Sequence, residues 1–257
     1  MNLSLEPFER FNLLPLSFSR INKFVTDRTG FYISYIHGFK GSSCSMERGT
    51  WSEHGVLKLF EGMSEDDAIK DALYFYDKSV EEKNLQDDPK RSIERTNIPL
   101  YIKGFWKELR QFEFHDFQEK QESKILGIDL IGYTDFGLIK DPDIYFKVDL
   151  KTSGRMPSKL TNSVSLQQSY YTSTSNVENK VLYSVVSKGK NSTKWFNLEN
   201  TGTYQKVFRD MIISMHSFLS KCEDKEEMKK LIVPDLDNWI WNYDPKVTKI
   251  RKEIWGY

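Results

Sequence analysis

The stretch GYTDFGLIKDPDIYFKVDLKTSG, Gly132 to Gly154, holds the residues best suited to chemistry: Asp135, Asp149 and Lys151. Side chains alternate across a strand, so Asp149-Leu150-Lys151 sets a carboxylate and an ammonium side by side on one face, with Leu150 turned to the other. Asp135 follows Gly132 at the end of the preceding strand, where a hairpin brings it back opposite Asp149. Converging carboxylates repel and trap a proton unless a cation neutralises them. Oxygen-only ligands favour Mg²⁺ or Mn²⁺ over zinc. The plainer reading of the same residues is an Asp149–Lys151 ion pair, with Asp135 as a turn former.

The elements that must position these groups follow from pattern. Ser17 caps a helix with Phe18, Ile21, Phe24 and Val25 at apolar spacing, and Thr29 opens a second that Gly38 closes. A helix over Met46–Glu61 packs through Val56, Leu57, Leu59 and Phe60, with Gly62 just past its end. Ser64 and Asp67 start the next, Glu65 to about Lys83, and DDPKR reads as a solvated loop. From about Phe112 the pattern becomes strands, with Lys140, Asp141 and Pro142 as a turn. In the last of them Phe146, Val148 and Leu150 share one face and Tyr145, Lys147, Asp149 and Lys151 the other. A helix around Ser163–Ser173, a hairpin through KGKNS and a long helix from near Thr203 complete the chain before an aromatic, basic tail. This order predicts an α/β fold, a central mixed β-sheet flanked by helices. Helices fill about 16–110, the sheet and its helix about 111–198, and further helices about 200–257.

With these motifs in place the chain resembles the PD-(D/E)XK nuclease superfamily: GYTD supplies G-x-x-D and VDLKTS supplies D-x-K. LQQSYY, with Gln167 and Tyr171 four apart on one helix face, is similar to the Q-x-x-x-Y motif of the RecB-type branch. Upstream, PLSFSRINKF, GFYISYIHGFKG and ERGTWSEHG are similar to that branch's opening, R-G-T leading to an acidic residue or histidine. Glu53 stands four positions past Gly49, as in lambda-type viral exonucleases, and His54 is the alternative one step on. The resemblance runs from about residue 16 to 198 and implies a restriction-endonuclease-like core. It implies Mg²⁺ or Mn²⁺ held by Glu53 (or His54), Asp135, Asp149 and the Leu150 carbonyl, with Lys151 completing the catalytic set. Gln167 and Tyr171 would hold the substrate, and Arg155 and Lys159 would touch backbone phosphates. Members with an iron–sulfur cluster use four cysteines; this chain has Cys44 and Cys222 alone, so no cluster is expected.

Composition sets the outer limits. A chain of 257 residues with 39% hydrophobic content buries a sizeable core and is expected to form one domain. Its 37 basic and 37 acidic residues cancel, which argues against coating nucleic acid through bulk charge, so phosphate contacts must be local. No export signal and no run of about eighteen apolar residues is read, so a cytoplasmic location, host cytoplasm for a viral protein, and no membrane association are expected. His37, His54, His115 and His216 lack ligand spacing, and H-E-x-x-H, phosphate-loop and G-x-S-x-G motifs are missing. The KIRK run, Lys249–Lys252, between Trp241 and Trp255, reads as an amphipathic terminal helix or a base-stacking surface. The expected function is a metal-dependent deoxyribonuclease, an exonuclease in DNA recombination, repair or viral DNA processing. Its expected partners are DNA and a single-strand-binding or recombination protein. A non-catalytic module gripping nucleic acid or protein, and an ordinary globular protein with a surface ion pair, are the competing readings.

Overall fold

The structure is a computed structural model that describes residues 2–141, 144–175, 177–199, 201–234 and 245–256. Pro142 of the expected turn and Trp241 of the tail lie outside the described residues. The chain divides into two compact units, one of Met1–Gly41, Glu122–Gly132 and Gly202–Tyr257, the other of Ser42–Gln121 and Tyr133–Thr201.

The second unit carries the chemistry-bearing residues. It opens with helices α4 (Cys44–Phe60), α5 (Glu65–Glu82) and α6 (Arg91–Leu109), numbered after the three short helices of the other unit. The Ser43 side chain accepts from the Met46 amide and starts α4, while Gly62, at φ +90°, lets the chain turn away beyond it. Ser64 caps α5 by accepting from the Asp67 amide at 3.2 Å. Helix α6 is an element that the sequence pattern did not delimit. It begins inside the charged DDPKR run, lacks a side-chain cap and carries Pro99 in its interior, which costs about 3 kcal/mol. Ile98, Tyr101, Ile102, Phe105 and Leu109 recur at helical spacing and are at most 1% exposed, and burying each contributes about 1.5–3 kcal/mol. Packing therefore overrides the proline.

The sheet is mixed. Strand β3 (Ile128–Asp141) runs antiparallel to β4 (Ile144–Ser153), with Phe136 opposite Val148. Strand β4 runs parallel to β5 (Glu178–Ser187), and β5 antiparallel to β6 (Lys190–Asn197). Strand β2 (Glu113–Ile125) pairs with β3. Helix α7 (Asn162–Ser175) supplies the parallel crossover from β4 to β5. The turn Lys188–Gly189 has positive φ at both residues, which a two-residue hairpin matched to strand twist requires. Phe146, Val148 and Leu150 point into one core with Val56 of α4 and Tyr101, Phe105 and Leu109 of α6. The opposite face of β4 is not an ordinary wet surface, because Lys147 and Asp149 are buried there too.

In the first unit, Ser17 caps α2 (Phe18–Thr26) as expected, accepting from the Arg20 amide. The next helix, α3 (Arg28–Phe31), is opened by Asp27 rather than Thr29: its side chain reaches the Gly30 amide, whereas Thr29 is buried. It continues as a π-helical turn, Tyr32–Ile36, ahead of Gly38 at φ +87°. The short helix α1 is Glu6–Arg10, and strand β1 (Leu16–Ser17) pairs in parallel with β3 at Leu130 and Ile131. Helix α8 (Thr201–Leu219) buries Phe208, Met211, Ile212, Met215 and Leu219, and His216 sits against the Phe8 ring. Cys222 is fully buried. Helices α9 (Lys225–Lys230) and α10 (Pro245–Trp255) follow, and the KIRK run lies in α10 with Arg251 buried. Among the described residues, no helix is long and apolar enough to cross a membrane.

Candidate active site

The register of β3 on β4 determines where Asp135 falls. Phe136 faces Val148, so one residue back along β3 and one forward along β4 sets Asp135 level with Asp149 on the same face. Here a side chain takes over from the backbone: the Leu150 amide donates to Asp135 Oδ2 at 2.7 Å. On β4 the Lys151 Nζ stands 2.5 Å from Asp149 Oδ2. Asp149 Oδ2 is buried, and the Lys151 ammonium is the group that answers its charge.

Glu53 arrives from α4. Desolvation and then the Asp135 carboxylate push its pKa well above the usual glutamate range, with Asp149 adding to the rise and Lys151 opposing it. Asp135 is raised to about 7, first by desolvation and then by Asp149, against the Lys151 ammonium and the Leu150 amide. Lys151 stays firmly protonated: burial alone would lower its pKa, but Asp149, Asp135 and Glu53 outweigh that and hold it above the ordinary lysine value. Three carboxyl groups thus share one field with a single ammonium, and two of them are driven toward their neutral forms.

His54 belongs elsewhere. Its Nε2 meets Asp71 Oδ2 at 2.7 Å, and its ring lies edge-on to Trp51 and Phe75. Successive helix residues point about 100° apart, so Glu53 and His54 cannot both face the sheet carboxylates. On α7 the Gln167 amide donates to the Tyr171 hydroxyl at 3.2 Å, the four-residue spacing expected of one helix face. Tyr171 is buried, and its pKa is pushed up to about 12 by desolvation, with Asp149 and Asp135 contributing. Arg155 and Lys159 are exposed in the loop after β4, where the Arg155 amide donates to Ser153 Oγ.

Other site residues were not singled out from the sequence. Tyr183 of β5 lies opposite Lys151 and is buried, a position that follows only from the parallel register. Lys147, two residues before Asp149, is 3% exposed and pairs with Glu119 Oε2 at 2.7 Å. The K-x-D-x-K alternation was the available signal for it.

The donor set suits a hard divalent cation: it is all oxygen, and the mutual repulsion of Glu53, Asp135 and Asp149, which raises the first two, is what a cation would relieve. Among the described residues, however, no group of three or more His, Cys, Asp or Glu side chains stands ready-arranged to hold a metal ion. Asp149 is turned onto Lys151 and Asp135 onto the Leu150 amide.

No family model and no curated protein matches the chain. Among solved structures, it is similar to a candidate exonuclease from Eubacterium rectale, at TM-score 0.56 and 12% identity over 95% of this chain and 99% of that one. A second structure, SSO0001, aligns over 77% of this chain and 86% of its own, at 12% identity and a TM-score of 0.33 that supports no argument. The chain has an α/β fold with a mixed central sheet flanked by helices, the fold of a nuclease-like structure at low sequence identity.

Proposed function

We propose that the chain is a metal-dependent deoxyribonuclease of the PD-(D/E)XK superfamily, on the RecB-like and lambda-type side, that hydrolyses DNA phosphodiester bonds from ends. The observation that carries this reading is that Asp135 and Asp149 lie level on paired strands beside Lys151, with Glu53 of α4 in the same electrostatic field. The similarity in fold to a candidate exonuclease supports it.

In this reading Glu53, Asp135, Asp149 and the Leu150 carbonyl would hold Mg²⁺ or Mn²⁺. Such an ion supplies a nucleophilic water at neutral pH and Lewis acidity toward the phosphoryl oxygens. The Lys151 ammonium, now paired with Asp149, would face the attacking water or the charge building on phosphorus. Gln167 and Tyr171, already hydrogen-bonded to each other, orient the phosphate or sugar of the scissile nucleotide. Arg155 and Lys159 contact backbone phosphates, which position DNA without reading its sequence. Roles in recombination, repair or viral DNA processing, with a single-strand-binding or recombination protein as partner, follow by association with the fold alone.

The test compares degradation of linear and closed circular DNA with Mg²⁺ or Mn²⁺. Loss of linear DNA alone is expected; equal loss of both would reject the exonuclease assignment. The observation favouring a non-catalytic binding module is that the ligands are not ready-arranged. Calorimetric titration showing no uptake of either ion would decide for that module.

A further inference from the structure

Arg48 lies five residues before Glu53 on α4, about 7.5 Å along the helix axis. Its guanidinium reaches the end of β4 directly after Lys151: Nη2 donates to Thr152 Oγ1 at 2.9 Å and to the Thr152 carbonyl at 3.4 Å. The other arm pairs with Glu94 of α6, which also accepts from Ser45 Oγ at 2.6 Å. The group stacks over the Tyr101 ring, 4.9 Å from its centroid, and the Tyr101 hydroxyl donates to the Ser153 carbonyl at 2.9 Å. Helix α4 passes close to the end of β4 here: a Cβ at Gly49 would lie in ordinary contact with Thr152 Oγ1, at 3.7 Å. Arg48 and Glu94 side chains are only 12% and 9% exposed.

A buried ion pair of this kind adds little net stability, because desolvating both charges offsets their attraction. What it provides is registry. The planar fork engages two partners at fixed angles and joins α4, α6 and β4 at one point. Those elements carry Glu53 on one side and the Asp149–Lys151 pair on the other.

We propose that Arg48 is a positioning residue that sets the Glu53 carboxylate against the Asp149 and Lys151 side chains through its clamp on Thr152 and Glu94. The proposal rests on the metal-binding reading of the site, without making Arg48 a ligand.

The experiment titrates Mn²⁺ into the full chain by calorimetry, with circular dichroism and thermal unfolding as controls for folding. Arg48→Met combined with Glu94→Gln removes the clamp and leaves no buried charge alone. Thr152→Val removes the shorter, side-chain link to β4 and keeps the longer contact to the Thr152 carbonyl. The double variant is expected to stay folded and bind Mn²⁺ about 10- to 100-fold more weakly, the usual effect of losing support behind a ligand. Thr152→Val should shift affinity in the same direction by a smaller factor. Folded variants with wild-type affinity would overturn the positioning role while leaving the metal reading intact. If the double variant does not fold, Thr152→Val decides alone. A wild-type chain that takes up no Mn²⁺ would overturn the metal reading and this proposal with it.

Discussion

Asp149 and Asp135 sit at the same level of the sheet but do different work. Asp149 holds the Lys151 ammonium at 2.5 Å, so Asp149→Asn removes a charge at the centre of the cluster while keeping its shape. DNA cleavage is expected to fall at least about 100-fold with the circular dichroism spectrum retained, as when one group stabilising the transition state is lost. Asp135 is raised to about 7, which gives stability a definite pH dependence. A raised carboxyl contributes its full stability below the ordinary aspartate value near 4 and loses it as pH rises through the folded value. Without divalent ions the melting temperature should therefore decline between about pH 4 and pH 7, and Asp135→Asn should flatten that decline. Millimolar Mg²⁺ should raise the melting temperature more at pH 8 than at pH 5, because the ion must displace protons at the lower pH. Equal increments at both pH values, followed by fluorescence, would contradict a protonated cluster.

Helix-to-helix packing supplies the next prediction. Gly55 of α4 faces α6, and a Cβ there would stand 2.4 Å from Ile102 Cδ1 and 2.9 Å from Ile102 Cγ1. Gly55→Ala would gain up to about 1 kcal/mol of helix propensity. Overpacking costs about 1–3 kcal/mol, and Ile102 is fully enclosed, so the clash should win. Chemical denaturation is expected to show a net loss of stability of about 1–2 kcal/mol. The elements differed in how plainly the sequence announced them. Helix α4 has apolar spacing and a glycine stop, both local signals that the sequence reading used; its Ser43 cap and its start at Cys44, ahead of the expected Met46, come from the structure. Helix α6 has Pro99 and no cap, and only its burial against α4 and the sheet explains it. The start of α3 is ambiguous in sequence, since Asp27 and Thr29 are both capping residue types, and the structure selects Asp27.

For the whole molecule, zero net charge means that the proposed contact with DNA must be local. Exposed Arg155 and Lys159 follow directly on the strand that carries Asp149 and Lys151. Replacing both with Ala should weaken binding to all DNA sequences alike and reduce the slope of log affinity against log salt by about 2, measured by fluorescence anisotropy. An unchanged slope would assign both to solvent. The sequence by itself determined what rests on short range: strand alternation pairing Asp149 with Lys151, the helical spacing of Gln167 and Tyr171, and the mixed α/β order of elements. Only the tertiary structure decided among residues whose meaning depends on distant partners. Glu53 rather than His54 faces the sheet because helix α4 docks at one rotation, and His54 finds Asp71 instead. Arg48 becomes a clamp because Glu94, 46 residues away, and Thr152, 104 away, are brought to it. Alternation and helical periodicity are properties of neighbouring residues, whereas docking angle and sheet register emerge when separate apolar faces are buried together.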